Sequence, residues 1–182
     1  MTNVLEAVTH IFSNLVDNEP EPPINVGEVM DLWKYLAFIE EATVIEQVSR
    51  NTTIDPELLK ILDQAINICS SQSERIQKFM KSSGIPIPPL PADKPNSDAD
   101  AVPMGVKMTD EEIVNILAAK LLLATRECSR SMMEAIRVDI GLMWSNFFYE
   151  QAKFGAVLKS KMRARGWLKN PPAYFPPGTP NT

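Results

Sequence analysis

Apolar residues recur at intervals of three and four along almost the whole chain, and alternating β-branched runs between turns are absent, so the pattern predicts helices throughout. A short helix is expected over residues 3–16, with Val4, Ala7, Val8, Ile11, Phe12 and Leu15 on one face, and "DNEPEPP" (17–23) ends it because consecutive prolines remove donors. The first long helix begins at Asn25, whose spacing to Glu28 is that of a capping box. Its buried stripe is Val29, Leu32, Trp33, Leu36, Ile39 and Thr43. After "SRNTTI", Asp55 caps a second helix that has Pro56 at its first position. Leu58, Leu59, Leu62, Ala65, Ile66, Cys69, Ile76, Phe79 and Met80 form its apolar face, and Gly84 closes it. Thr109 and Glu112 repeat the capping box for a third helix, carrying Ile113, Ile116, Leu117, Leu121, Ala124, Cys128, Met132 and Ala135. The pattern breaks at "IRVD", where Asp139 is placed to cap a fourth helix. That helix bears Ile140, Met143, Trp144, Phe147, Phe148, Gln151, Gly155, Leu158 and Met162 and ends at Gly166.

Superposing Gly84 on Gly166 brings Asn25 near Thr109 and Asp55 near Asp139. The chain therefore reads as two helical hairpins, each closed by Gly and a Pro-rich apolar tail, "GIPIPPLP" and "RGWLKNPPAYFPP". One hairpin cannot bury both its helices, so the two must pack together. Each helix of about 26 residues is about 39 Å long, and an extended connection over residues 84–108 can reach about 80 Å. It can run back along the bundle, making the second and third helices parallel. The fold class expected is all-α: a ferritin-like four-helix bundle with one long crossover. Residues 1–24 are then an N-terminal helical extension, and 25–182 the bundle with its crossover (84–108) and C-terminal tail (166–182). Prolines stiffen both tails, so Ile85, Ile87 and Leu90, and likewise Trp167, Leu168, Tyr174 and Phe175, are expected to lie on the bundle. The competing reading makes these segments proline-rich ligands for a partner's groove.

Composition changes this picture little. The 182 residues are 45% hydrophobic and 23% charged with a net charge of −5, which suits one globular domain and argues against a nucleic-acid partner. Lys153, Lys159, Lys161, Arg163, Arg165 and Lys169 form a basic stretch; a solvated helix end complementing its dipole explains it more simply than an anion site. No signal peptide or membrane span is evident in the pattern. Cys69 and Cys128 sit inside helical stripes as buried thiols, which points to a reducing, cytoplasmic compartment.

A bundle of this kind invites a search for a dinuclear metal site built from inward Glu residues and Glu-x-x-His pairs. The single His, His10, lies on the N-terminal extension, where Glu6 and His10 make at most a two-ligand site. Of the helix carboxylates, Glu40, Glu127 and Glu150 are the alternative metal set, with Glu46 and Glu134 also on the helices; at helical spacing most should be solvated or paired. No phosphate loop and no nucleophile–His–acid set is available. Trp33, Trp144, Phe147, Phe148 and Tyr149 are expected as core rather than a cofactor wall. We expect no catalytic residues and no cofactor.

"INVGEVMDLWKYL", "GIPIPPLP" and "RGWLKNPPAYFPP" resemble the ferritin-like bundle proteins of endospore-forming bacteria related to spore coat protein F. Leu32-Trp33, Gly84-Ile85-Pro86 and Pro171-Pro172 with Tyr174 carry the likeness over residues 25–177. The resemblance implies a four-helix bundle associated with the spore coat or sporulation, with no established catalytic set. It also implies a His in the second helix near residues 72–75, where this chain has Gln72, Ser73, Glu74 and Arg75. The leading expectation is a non-enzymatic structural or interaction protein whose partners are further copies of itself or spore coat components. The alternatives are a ferritin-like protein binding a metal or small ligand between its helices, and an adaptor working through its proline tails or basic helix end.

Overall fold

The computed structural model describes residues 20–177; the expected helix over 3–16, with Glu6 and His10, lies outside them. Four helices follow in order: α1 (Val26–Arg50), α2 (Pro56–Ser82), α3 (Asp110–Glu134) and α4 (Val138–Ala164), with a single 3-10 turn at Ala99–Ala101 in the crossover. Both predicted capping boxes form. The Asn25 side chain accepts from the Glu28 amide while Glu28 reaches back to the Asn25 N–H, and Thr109 and Glu112 do the same for α3. Asp55 accepts from the Glu57 and Leu58 amides, satisfying donors that a helix start otherwise leaves free. At the far ends, Gly84 and Gly166 adopt φ of +68° and +71°, a region costly for any residue with a Cβ. Each lets the next amide return to the last turn: Ile85 N–H donates to Met80 O at 2.8 Å, and Trp167 N–H to Met162 O at 2.9 Å. The two hairpins are thus closed by the same device.

Cross-helix pairs fix the directions. Thr53, beyond the end of α1, bonds Asp110 at the start of α3, and Glu28 at the start of α1 bonds the amides of Ile136 and Arg137 after α3. Hence α1 and α3 are antiparallel, and α2 and α3 are parallel, as the length of the crossover predicts. The crossover runs beside α1 in α1's direction. Ile85 packs into the core with Ile87 against it, and further on Lys94 N–H donates to Gln47 Oε1 at 2.8 Å and Ser97 N–H to Asn51 Oδ1 at 3.0 Å. This anchoring at both ends accounts for a connection much longer than helix hairpins need.

Two apolar clusters fill the interior. One joins Leu32, Tyr35, Leu36, Ile39, Ile76, Met80, Trp144 and Phe147 at the end where α1 starts. The other joins Leu58, Leu62, Ile113, Leu117, Phe154 and Leu158 at the opposite end and takes no residue from α1.

Several expectations are corrected. Trp33 is not on the buried stripe but 38% exposed, and Tyr35 takes the core position; the interface needs residues 32, 35, 36 and 39, which lie on one side of the helix. Asp139 does not cap α4: the cap residue is Arg137, without a side-chain bond, and the Glu21 carboxylate accepts from the Val138 and Asp139 amides instead. Asp139 pairs with Arg137 at 2.8 Å. In the tails, Trp167 and Leu168 pack on the second cluster, but Leu90, Tyr174 and Phe175 are exposed, Tyr174 by 82%. Lys169 still pairs with Glu111 of α3 at 3.9 Å, whereas Tyr174 and Phe175 are not part of either apolar cluster.

Candidate functional site

Between the two clusters lies a belt of buried and half-buried polar side chains, one part of it joining α1, α2 and α4. Tyr35 on α1 donates its hydroxyl to Gln72 Oε1 on α2 at 2.8 Å, and Gln151 Nε2 on α4 donates to the same oxygen at 3.0 Å. Gln72 Nε2 in turn donates to Glu150 Oε2 at 2.9 Å, and Arg75 closes the chain on Glu150 at 2.6 Å. Arg75 also lies over the Phe147 ring, 4.6 Å from its centroid. Tyr35 meets Trp144 edge-on at 5.1 Å, and Trp144 meets Phe147 the same way at 5.7 Å. Burial pushes the Tyr35 pKa well up, with the nearby Cys128 adding to it, so the hydroxyl stays a donor. Burial likewise pushes Cys128 up to about 12, which makes it a poor nucleophile.

The second part of the belt joins α1, α3 and α2. Lys120 Nζ donates to Glu46 Oε1 at 2.7 Å and to Cys69 Sγ at 2.9 Å. Glu46 is 4% exposed, and its Oε2 has no hydrogen-bond partner among the described residues. Burial raises the Glu46 pKa against the pull of Lys120. At Lys120 burial works downward, but the Cys69 sulfur and the Glu46 carboxylate outweigh it and the pKa is raised. The Cys69 thiol is raised by burial.

A third cluster clasps the end where α1 starts. Glu28, 4% exposed, uses Oε2 for its own helix's cap (Asn25 N–H, 3.1 Å) and Oε1 for the Ile136 and Arg137 amides, both at 2.9 Å. One carboxylate thereby starts α1 and spans the α3–α4 turn.

The carboxylates proposed as a metal set are not brought together. Glu40 bonds Ser73 Oγ, Glu127 pairs with Arg130 on the surface, and Glu150 is engaged by Gln72 and Arg75. Among the described residues no three His, Cys, Asp or Glu side chains converge as metal ligands. Within the basic stretch, Lys161 and Arg165 are paired with Glu57 and Asp55 at the start of α2. Of the aromatics, Trp144 and Phe147 are core, whereas Tyr149 is 67% exposed.

Glu46, Lys120, Gln72 and Glu28 were not singled out as a site from the sequence. A signal existed for Glu46: it continues the spacing of Leu32, Leu36, Ile39 and Thr43, where an apolar residue belongs. Gln151 sits on the same kind of stripe in α4.

What these features define is an all-α bundle of two hairpins joined by one long crossover, with a polar belt across its middle. The chain belongs to a family of proteins of unknown function, DUF3231, whose model matches residues 8–179. It is 28% identical over 161 residues to the uncharacterized protein YvdQ of Bacillus subtilis strain 168, covering 88% of this chain and 95% of that protein. Its fold is similar to the crystal structure of a "putative spore coat protein" from Bacillus halodurans C-125, with a TM-score of 0.82 and 28% identity, covering 85% of this chain and 98% of that one. Among the described residues no helix is long and apolar enough to cross a membrane.

Proposed function

We propose that this protein is a spore-associated structural or interaction component that works by binding protein partners rather than by catalysis. The observation that carries this reading is the similarity, over 85% of this chain and 98% of the other, to the structure described as that of a "putative spore coat protein". Features of the chain itself support it. The tail past Leu168 presents Tyr174 and Phe175 to solvent beside Pro171, Pro172, Pro176 and Pro177, and proline-restricted segments lose little entropy on docking. Both thiols are buried with raised pKa values, which suits packing rather than nucleophilic work.

The test is to follow a fluorescent fusion through sporulation in a Bacillus host and to probe purified spores for the protein. Accumulation on the forming spore is expected. A Tyr174→Ser/Phe175→Ser variant should reach the spore poorly while the bundle melts as the parent does. Protein confined to vegetative cells and absent from spores would remove the assignment.

A further inference from the structure

The two faces along which the hairpins meet are opposite in charge. α1 packs beside α3 on one of them, and α2 beside α4 on the other. Within their spans α1 and α3 hold ten acidic and five basic residues, a net −5. α2 and α4 hold five acidic and eight basic residues, a net +3. Pairing within the chain does not erase the difference. On the first face Arg130 is shared by Asp31, Glu127 and Glu134, which leaves negative charge in excess there. On the second, Lys60, Lys78 and Lys153 are exposed and have no carboxylate partner among the described residues.

The relief of the two faces matches as well. A cleft of about 340 Å³ lies between α1 and α3, because the C-terminal half of α1 turns Ala42, Glu46 and Ser49 inward and adds nothing to the second cluster. Its lip on α1 is Phe38, Glu41 and Ile45, with Leu123 of α3 opposite; Ile45 and Leu123 are 48% and 53% exposed. Glu41 stands midway along this lip, exposed and without an ion-pair partner among the described residues. On the other face, Lys153 and Val157 border the α2–α4 groove. Tyr149, Lys153 and Val157 are four residues apart and so form one ridge of α4, with Tyr149 and Val157 exposed by 67% and 44%. The ridge spans about 12 Å and the lip from Phe38 to Ile45 about 10 Å. Each is an apolar pair with one charge at its centre, and the two charges are opposite.

We propose that the α1–α3 groove of one copy receives the Tyr149–Lys153–Val157 ridge of a second copy, with Lys153 meeting Glu41 and the apolar side chains settling against Phe38, Ile45 and Leu123. The opposite net charges draw these unlike faces together and hold like faces apart. Groove and ridge lie on opposite sides of each bundle, so the contact is heterologous and a pair does not satisfy it. Each end of a row keeps one open groove or one open ridge, and the row can grow. This names one partner for the interaction role proposed above and rests on that reading only for its setting.

The full-length protein is followed by sedimentation velocity from about 1 μM to about 1 mM, at low and at high salt. Species larger than a dimer should grow with concentration and recede at high salt, where the charges are screened. Glu41→Lys and Lys153→Glu, both at exposed positions, put like charges across the contact, so each alone should weaken association at least about tenfold. Mixing the two variants should restore it, because the ridge of the first and the groove of the second are unaltered. The double variant should associate again by itself. A protein monomeric throughout, a dimer that never grows (like faces paired), insensitivity to Lys153→Glu, or a mixture no better than its components would each overturn the proposal. Arrival at the spore is read by the fusion experiment above, so either reading can fail without the other.

Discussion

Replacing Glu28 should cost far more than its place in a capping box implies, because the same carboxylate holds two parts of the chain 108 positions apart. In Glu28→Ala three backbone donors lose an ionised acceptor: Asn25 at 3.1 Å, and Ile136 and Arg137 at 2.9 Å each. The three amides are only partly buried, so about 1 kcal/mol per bond is appropriate and the loss is about 3 kcal/mol. For a chain of this size that is a fall in Tm of about 6–12 °C. Glu28→Gln keeps one carbonyl oxygen for Ile136 and Arg137 but turns an NH₂ toward the Asn25 N–H, so a smaller loss of about 1–2 kcal/mol is expected. Glu112 supplies an internal control, occupying the same box position in α3 with bonds only to Thr109, and Glu112→Ala should cost much less. Urea unfolding followed by tryptophan fluorescence gives the free energies. Amide exchange should quicken at Ile136 and Arg137 and stay slow in the second cluster. If Glu28→Ala lies within about 1 kcal/mol of the parent, or no worse than Glu112→Ala, the clasp carries none of the stability argued here.

Truncation after Gly166 should destabilise by roughly 2 kcal/mol through loss of the half-buried Trp167 and Leu168, whereas truncation after Lys169 should leave the melting temperature unchanged; equal effects would contradict the packing. Native Cys69 and Cys128 should resist iodoacetamide at pH 8 and react only at the rate of global opening, since burial raises both thiols; fast labelling would refute this. Arg165 first, then the Leu58 amide, lowers the pKa of Asp55. A carboxylate depressed on folding stabilises the native state above its unfolded pKa and loses that contribution as pH falls through the folded one. The stability gap between the parent and Asp55→Asn should therefore be full at pH 7 and shrink below about pH 4; a gap independent of pH would show the shift plays no part. The triple variant Tyr35→Phe, Gln72→Leu, Gln151→Leu should keep its helix content by circular dichroism but bind a hydrophobic dye and lose NMR dispersion; a well-dispersed spectrum would show that the belt does not specify the core.

The fold was legible because its punctuation is local. Asn25 with Glu28, Asp55 before Pro56, Thr109 with Glu112, and the two glycines state where each helix starts and stops, and chain length alone makes the crossover span the bundle. The misreadings share one physical reason: they concern contacts between segments remote in sequence. Trp33 and Tyr35 are both plausible core residues by spacing, and only the position of Trp144 and Phe147 decides for Tyr35. Asp139 has a capper's chemistry, yet the helix starts one residue earlier at Val138, whose amide Glu21 takes from 117 residues away. Tyr174 and Phe175 look like Trp167 and Leu168 in composition, yet only the latter two pack on the second cluster. The Glu46–Lys120 ion pair was visible only as a violation, a Glu at position 46 where the stripe calls for an apolar side chain.

That violation fits a problem peculiar to this architecture. Two hairpins with the same capping box on their first helix, the same glycine stop and equal helix lengths present similar apolar faces, and an apolar seam alone is tolerant of sliding by a turn or of pairing the wrong faces. Polar groups in the seam are not tolerant. Moving α2 by one turn against α1 and α4 would take Gln72 from Tyr35, Gln151 and Glu150 at once, and shifting α3 against α1 would part Lys120 from Glu46. Each orphaned buried group costs about 1–3 kcal/mol, so several together outweigh what a slipped apolar contact could regain. The belt therefore disfavours wrong registers more than it strengthens the right one. It does so with side chains from α1, α2, α3 and α4. Among the described residues, Glu46 Oε2 is the buried side-chain oxygen left without a partner, and it lies on the half of α1 that adds nothing to the second cluster.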